Sequence, residues 1–398
     1  MTMNGTSPRL PSGSGARGDV TRRHNLSTVL TLLHRGSQPR SQLTARTGLN
    51  RSTIAALITE LAELGLAYES EPDPTRQVGR PSPMAHADPR AVAIAVNPEV
   101  DAITIGVVGL DGRVIKRIRY ETETAPTVKE FIKLSSAIIE GLRGEFEANG
   151  MVVGIGVAVP GLVRAEDGLV RWAPHLQWRD EPVTALLAEA TGFPVSTAND
   201  ASLGALAEHI YGAGRGISDL IYLNGGASGI GGGIIANGVP LGGRAGYAGE
   251  FGHVRVDSSA IADDQREAGS LESEVNRADL LHALGLTTAD ADTLDAALLA
   301  STDPAVTALV HRQLELLSTS LRNAVNVLNP EVIVLGGFLA SIFSADPRYL
   351  VERVRMQSLE ASFEGTSITT AQLGSDLLMI GAAELAFAAL LADPAATA

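Results

Sequence analysis

Residues 197–208 read TANDASLGALAE, and the architecture of the chain can be worked outward from them. The run ASLGALAEHIYG that begins within this stretch is a helix by composition, and Asp200, just before it, has the short acceptor side chain that caps a helix N-terminus. On either side lie short apolar runs with the character of buried strands: MVVGIGVAVPG before it, then LIYLNGG, GIGGGIIANG and EVIVLGG after it. The same alternation starts at Ala91, where AVAIAV, AITIGVVGL and VIKRIRYET precede the helical stretch TVKEFIKLSSAIIEGLRGEFEANG. Strand followed by helix, repeated, predicts a mostly parallel α/β sheet covered on both faces. Two such halves over about 300 residues predict two lobes with a cleft between them.

The chain has 398 residues, 45% of them hydrophobic, 19% charged, 42 glycines and no cysteine. This composition belongs to a folded α/β protein, and the missing cysteines exclude disulfides, thiolate metal sites and cysteine nucleophiles. No apolar run in the sequence reaches the length of a membrane span, and the first residues lack the apolar core of a signal peptide, so a cytoplasmic protein without a membrane partner is expected. The net charge of −14 is unevenly divided: residues 1–90 hold 11 Arg and no Lys against 7 acidic residues, while the remainder is strongly acidic. A small basic segment on a large acidic body suggests that one end meets a polyanion.

Residues 1–20 carry no periodicity and are expected to form a disordered arm. From Asn25 onward, Leu26, Val29, Leu30 and Leu33 form an amphipathic stripe. A second helix is expected from Ser41, capped by its hydroxyl, and Gly48 punctuates it. Asn50 caps a third, in which Ile54, Leu57, Ile58 and Leu61 repeat the stripe until Gly65. Helix, helix, tight turn, helix, followed by a polar Pro-rich stretch that suits a hairpin wing, predicts a winged helix-turn-helix over residues 21–85. Its third helix presents Asn50, Arg51, Ser52 and Thr53 to base edges, while Arg46, Arg22, Arg23, Arg76 and Arg80 meet phosphates or a minor groove. The alternative is a plain three-helix packing unit with solvated arginines. Against it stands the absence of any acid between Asp19 and Glu60.

From residue 90 to 395 the chain resembles the ROK family of repressors and sugar kinases. The residues that carry the resemblance are AVPGLV at 158–163, TANDASLGALAE at 197–208, GGASGIGGGIIANG at 225–238, AGYAGEFGH at 245–253 and SLE at 270–272. The resemblance implies an actin-like, two-lobed sugar-kinase fold. It also implies a sugar shell of Asn199, Asp200, Glu250, His253 and Glu272, with Asp200 in the position of the base that takes a proton from the attacking sugar hydroxyl. Ionised carboxylates suit vicinal hydroxyls because each oxygen accepts two hydrogens. Without the resemblance, Asp200 reads first as a helix cap and His253 as a satisfied core histidine.

Two departures from the family pattern weigh on function. Where the kinases carry an Asp-Ile-Gly-Gly-Thr phosphate loop, this chain has Asn97, Pro98, Glu99, Val100 and Asp101; proline removes an amide donor, and the carboxylates repel phosphate. Where the family's three zinc thiolates would stand, it has Asp263, Gln265 and Ser270. No zinc and no productive ATP binding are therefore expected. The sequence reads as a sugar-responsive regulator, most simply a repressor. It would bind an inverted-repeat operator as a homodimer or homotetramer and sense a sugar or sugar phosphate with a degenerate kinase domain. The rival is an active ATP-dependent sugar kinase of the hexokinase or glucokinase type with an added DNA-binding head.

Overall fold

A computed structural model describes residues 14–71, 82–226, 229–258 and 268–397. The chain forms two compact units, one made of the residues up to Ala91 together with Phe387–Ala398, the other of Val92–Ala386.

In the first unit, helix α1 (Ser14–His34) is followed by β1 (Gln38–Pro39), α2 (Arg40–Thr47), α3 (Arg51–Glu63), β2 (Ala67–Ser70) and β3 (Met84–Ala87), and the strands pair antiparallel in the order β1-β3-β2. The apolar stripes do what their spacing requires: Leu26, Val29, Leu30, Leu33, Ile54, Leu57, Ile58 and Leu61 are all buried. Asn50 caps α3 by accepting the Thr53 amide at 2.8 Å, and Gly48 and Gly65 end the helices at positive φ of 71° and 72°. Three expectations need correction. Residues 14–20 continue α1 rather than forming an arm, because each residue added to an existing helix gains a hydrogen bond without repeating the cost of nucleation. Ser41 does not cap α2, which starts at Arg40 behind Pro39 with no side-chain cap. The sensor segment does not run to 395. Residues from Phe387 onward join the N-terminal unit, where Ser27 Oγ donates to Leu391 O at 2.7 Å and Arg23 pairs with Asp393 at 3.0 Å.

The second unit repeats one topology twice. Its first lobe holds β4 (Ala91–Pro98), β5 (Ala102–Gly109), β6 (Val114–Glu121), α4 (Val128–Asn149), β7 (Met151–Val159), β8 (Leu162–Val163), β9 (Val170–Ala173), β10 (Trp178–Glu181), α5 (Val183–Thr191) and β11 (Val195–Asn199). The main sheet runs β11-β7-β4-β5-β6, and β10-β9-β8 form a small antiparallel sheet beside it. β4 and β5 are buried along their whole length, as strands covered on both faces must be. The second lobe starts with α6 (Asp200–Tyr211) and builds the sheet β14-β13-β12-β15-β16 from β12 (Leu220–Gly226), β13 (Gly229–Ala236), β14 (Val239–Pro240), β15 (Val332–Gly337) and β16 (Ser367–Thr370). Around it lie α7 (Leu271–Glu274), α8 (Arg277–Ala283), α9 (Ala291–Ala300), α10 (Pro304–Leu328), α11 (Phe338–Ala345), α12 (Pro347–Gln357) and α13 (Glu360–Phe363), and the chain ends in α14 (Leu377–Ala392) and α15 (Pro394–Thr397). In each sheet the first strand lies centrally, flanked by an antiparallel meander on one side and two later parallel strands on the other, so the sheets are mixed and not mostly parallel as expected: the strands of each meander follow one another through short turns, without a crossover helix.

Among the described residues one helix, Gly374–Ala392, is long and apolar enough to cross a membrane, which the sequence reading had not registered. Its apolarity serves the core. Leu377 and Ile380 pack with Tyr222 and Val334 between sheet and helix, and a Cβ on Gly156 of β7 would lie 1.7 Å from the Ala382 carbonyl oxygen. Gly156→Ala is therefore expected to destabilise this unit by about 3 kcal/mol, since backbone rather than a flexible side chain would have to move. Gly141→Ala, on α4 with nothing near its added methyl, is expected to stabilise by about 0.5–1 kcal/mol. Urea denaturation of both variants against the parent measures the contrast.

Candidate functional site

The cleft residues come from three places in the chain. β7 and β11 run parallel, with Asn199 in register with Val159, so both strands end at the same edge of the first sheet, where the next backbone turns away and leaves room for a ligand. Asn199 caps α6: its Oδ1 accepts the Ser202 amide at 2.9 Å, and its Nδ2 donates to Gly161 O at 3.0 Å. The cap is thus Asn199 and not Asp200, which occupies the first helical position. Asp200 Oδ1 accepts the Ala201 amide at 2.8 Å and lies 3.3 Å from Asn199 Nδ2.

The second contribution is a 3-10 turn over Phe251–His253 that brings Glu250 and His253 to the cleft. The third is α7, capped by Ser270, which carries Glu272. His253 Nδ1 lies 3.3 Å from Glu272 Oε1, and Glu272 Oε2 accepts the Ile230 amide at 3.4 Å. Two glycines make this placement possible: a Cβ at Gly229 would lie 2.5 Å from Glu272 Oε2, and one at Gly252 only 2.2 Å from Ile230 O. His253 is half exposed at the cleft and not a core histidine.

Electrostatics tie the groups together. Burial, opposed by the Ala201 amide and reinforced by the charge of Glu250, pushes the Asp200 carboxyl up to about 7. Burial also raises Glu250, with the neighbouring Glu272 adding to the shift and His253 opposing it. Among the described residues no side-chain or backbone donor reaches the Glu250 carboxylate. Carboxylates held close together and short of donors are suited to accept hydroxyl hydrogens from a ligand.

The described glycines of 225–233 flank two residues that lie outside the described ones. They belong to β12 and β13, where they allow close packing: added methyls at Gly231 and Gly233 would meet Ala201 and Ala205 of α6 at 2.7 and 2.6 Å. The segment Asn97–Asp101 forms the turn between β4 and β5, closed by the Glu99 amide on Ala102 O at 2.8 Å. Its acids are held by Arg119, which lies 3.0 Å from Asp101 and 3.6 Å from Glu99 and also pairs with Glu121 at 3.2 Å. Asp263 and Gln265 lie outside the described residues. Ser270, in the third thiolate position, is buried and accepts the Ser273 amide at 3.4 Å.

In the N-terminal unit the arginines divide by partner. Arg22 pairs with Glu60 at 2.8 Å, Arg23 with Asp393 and with Asp19, and Arg46 donates to Gln38 Oε1 at 3.2 Å. Asn50 Oδ1 is occupied by the Thr53 amide and the Ser52 hydroxyl at 2.7 Å. Arg51, exposed at the first turn of α3, has no protein partner among the described residues. Arg76 and Arg80 lie outside them. The sequence reading missed two strands of this unit, β1 and β3, whose two and four residues are too short to carry a periodic signal.

Comparison with known proteins follows the same division. A xylose repressor from Caldicellulosiruptor bescii is 24% identical over 390 residues, 93% of this chain and 97% of the repressor. A glucokinase from Thermotoga maritima is 28% identical over 318 residues, 75% of this chain and 98% of its own length. Among solved structures, a ROK-family transcriptional regulator described as a homologue of the E. coli MLC protein superposes with a TM-score of 0.75 at 23% identity, covering 94% of this chain and 97% of its own. The ROK hexokinase from Thermus thermophilus superposes with a TM-score of 0.61 at 28% identity, covering 75% and 99%. The ROK family profile matches residues 93–389, which span both lobes and every cleft residue described above, and the chain belongs to the ROK family.

Proposed function

We propose that the protein is a sugar-responsive transcriptional repressor, with a winged helix-turn-helix in its N-terminal unit and a sensor unit derived from a sugar kinase that no longer transfers phosphate. One observation carries the second half of this reading: the turn at Asn97–Asp101. A phosphate cradle needs backbone amides pointing at the anion. Pro98 has none, the Glu99 amide is spent on Ala102 O, and three acids share the single Arg119, leaving the turn net negative. The cleft acceptors Asp200, Glu250 and Glu272 remain, so hydroxyl binding survives where nucleotide binding does not. The repressor and regulator relatives also align through the N-terminal unit, whereas the kinases cover about three quarters of the chain.

In this reading α3 is the recognition helix and β2–β3 the base of the wing. Asn50, held as a cap, sets the helix end, and Arg51 is the side chain free to reach a base edge. Two such units in a homodimer or homotetramer meet an inverted repeat in cytoplasmic DNA, and the sugar shifts the population between conformers that match or miss the half-site spacing. No zinc is needed, since Ser270 holds its segment by capping α7 and by ordinary packing.

Incubation with ATP and a panel of aldoses is expected to give no sugar phosphate; turnover on the order of 1–100 per second, lost in Asp200→Asn, would establish the kinase instead. Arg51→Ala is expected to weaken the specific operator by about 1–3 kcal/mol while changing random-DNA binding little, measured by fluorescence anisotropy at fixed salt.

The raised Asp200 carboxyl predicts a pH signature of definite sign. The folded state holds this proton more tightly than the unfolded chain, so the apo protein loses stability as pH rises from about 4 to about 7, and Asp200→Asn removes that slope. Ligand hydroxyls donate best to the ionised form. Sugar affinity should therefore rise with pH through about 7 in the parent and stay flat in the variant, which calorimetry at pH 6 and pH 8 resolves.

A further inference from the structure

The small sheet β8–β9–β10 carries an aromatic side chain that the monosaccharide reading leaves unused. Of the chain's 2 tryptophans, Trp178 is 2% exposed and donates its indole N–H to Pro126 O at 2.9 Å, whereas Trp172 is 39% exposed. The strand register sets Trp172 opposite Leu162 on one side and Arg179 on the other. Arg179 is exposed and has no protein partner among the described residues.

The backbone of this sheet adjoins two segments that carry cleft residues. β8 starts directly after Gly161, whose carbonyl takes the Asn199 amide at 3.0 Å, and a Cβ on Gly161 would lie 2.4 Å from Trp172 O. The backbone of Trp172 thus lies against the residue that Asn199 grips. Beyond β8, the Ala165 amide donates to Ala245 O at 2.9 Å, tying the same hairpin to the segment that delivers Glu250 and His253. An indole face left in water forgoes a large burial gain and is available to a ligand. The negative π face of indole matches the weakly positive C–H face of a pyranose ring, and a neighbouring guanidinium fork can donate to that ring's hydroxyls.

We propose that Trp172 and Arg179 form a second carbohydrate subsite, so that the effector is a disaccharide or longer glycoside. Its inner ring lies among Asp200, Glu250 and Glu272, and its outer ring stacks on Trp172. The inference rests on the sugar-sensor reading and extends the ligand it implies.

The test uses the full chain and matched probes, xylose with xylobiose and glucose with cellobiose and maltose, titrated by calorimetry and by tryptophan fluorescence. At least one disaccharide is expected to bind about tenfold more tightly than its monosaccharide, the gain of one good aromatic contact, and to shift the emission of the exposed indole. Trp172→Ala should abolish that tenfold difference while leaving monosaccharide affinity within about twofold, and Trp172→Phe should keep most of it. Equal affinity for both members of every pair, or a disaccharide gain that persists in Trp172→Ala, overturns the second subsite while the monosaccharide sensor stands. Failure of every sugar to bind overturns both.

Discussion

The close approach of β13 to its neighbours on both faces is the constraint on which the cleft depends. On one face Gly231 and Gly233 admit α6; on the other, an added methyl at Gly232 would lie 2.5 Å from the Phe251 ring and 2.7 Å from Gly249 O. Gly249, at a φ of +100°, would in turn meet Gly232 O at 2.6 Å. Backbone lies on backbone where Gly232 meets Gly249, and against the rest of this stretch stand only alanine methyls, the α6 backbone and the Phe251 ring. This fixes the distance between the start of α6, which carries Asp200, and the turn that carries Glu250. A single Cβ in this layer would separate the acids that the cleft brings together.

Bringing them together costs free energy that the apo protein does not recover. Asp200 is held up to about 7 mainly by lost hydration, and Glu250 is shifted the same way with no hydrogen-bond donor among the described residues. A hydroxyl-rich ligand of the kind proposed above would supply such donors. Packing and electrostatics are thus connected: the burial that raises the two carboxyls would be offset by a ligand that offers several O–H groups.

The departures from the kinase pattern are also accounted for locally. The Asn97–Asp101 turn is a stable hairpin connection, with Thr104 Oγ1 donating to Glu99 at 2.6 Å and Arg119 holding the acids. Ser270 caps α7, and the backbone on either side is closed by the Val256 amide on Gly269 O at 2.8 Å and the Leu271 amide on Val254 O at 2.9 Å. In both places the contacts that hold the segment are internal to the chain.

The sequence by itself determined the elements whose signals are local: the amphipathic stripes of α1 and α3, the Asn50 cap and the buried runs of β4 and β5, whereas the segments that hold the cleft acids were legible only through the resemblance to the ROK family. Hydrophobic period and capping chemistry act over a few residues, so they can be read without the fold. Only the tertiary structure decided the rest. That Asn199 and not Asp200 caps α6 depends on where Gly161 O lies, 38 residues away in the chain. That Arg22, Arg23 and Arg46 are partnered while Arg51 is free depends on Glu60, Asp393 and Gln38, and the membership of Phe387–Ala398 in the N-terminal unit is a contact between the two ends of the chain. Partnership across such separations is set by packing of distant segments, and no short window of sequence encodes it.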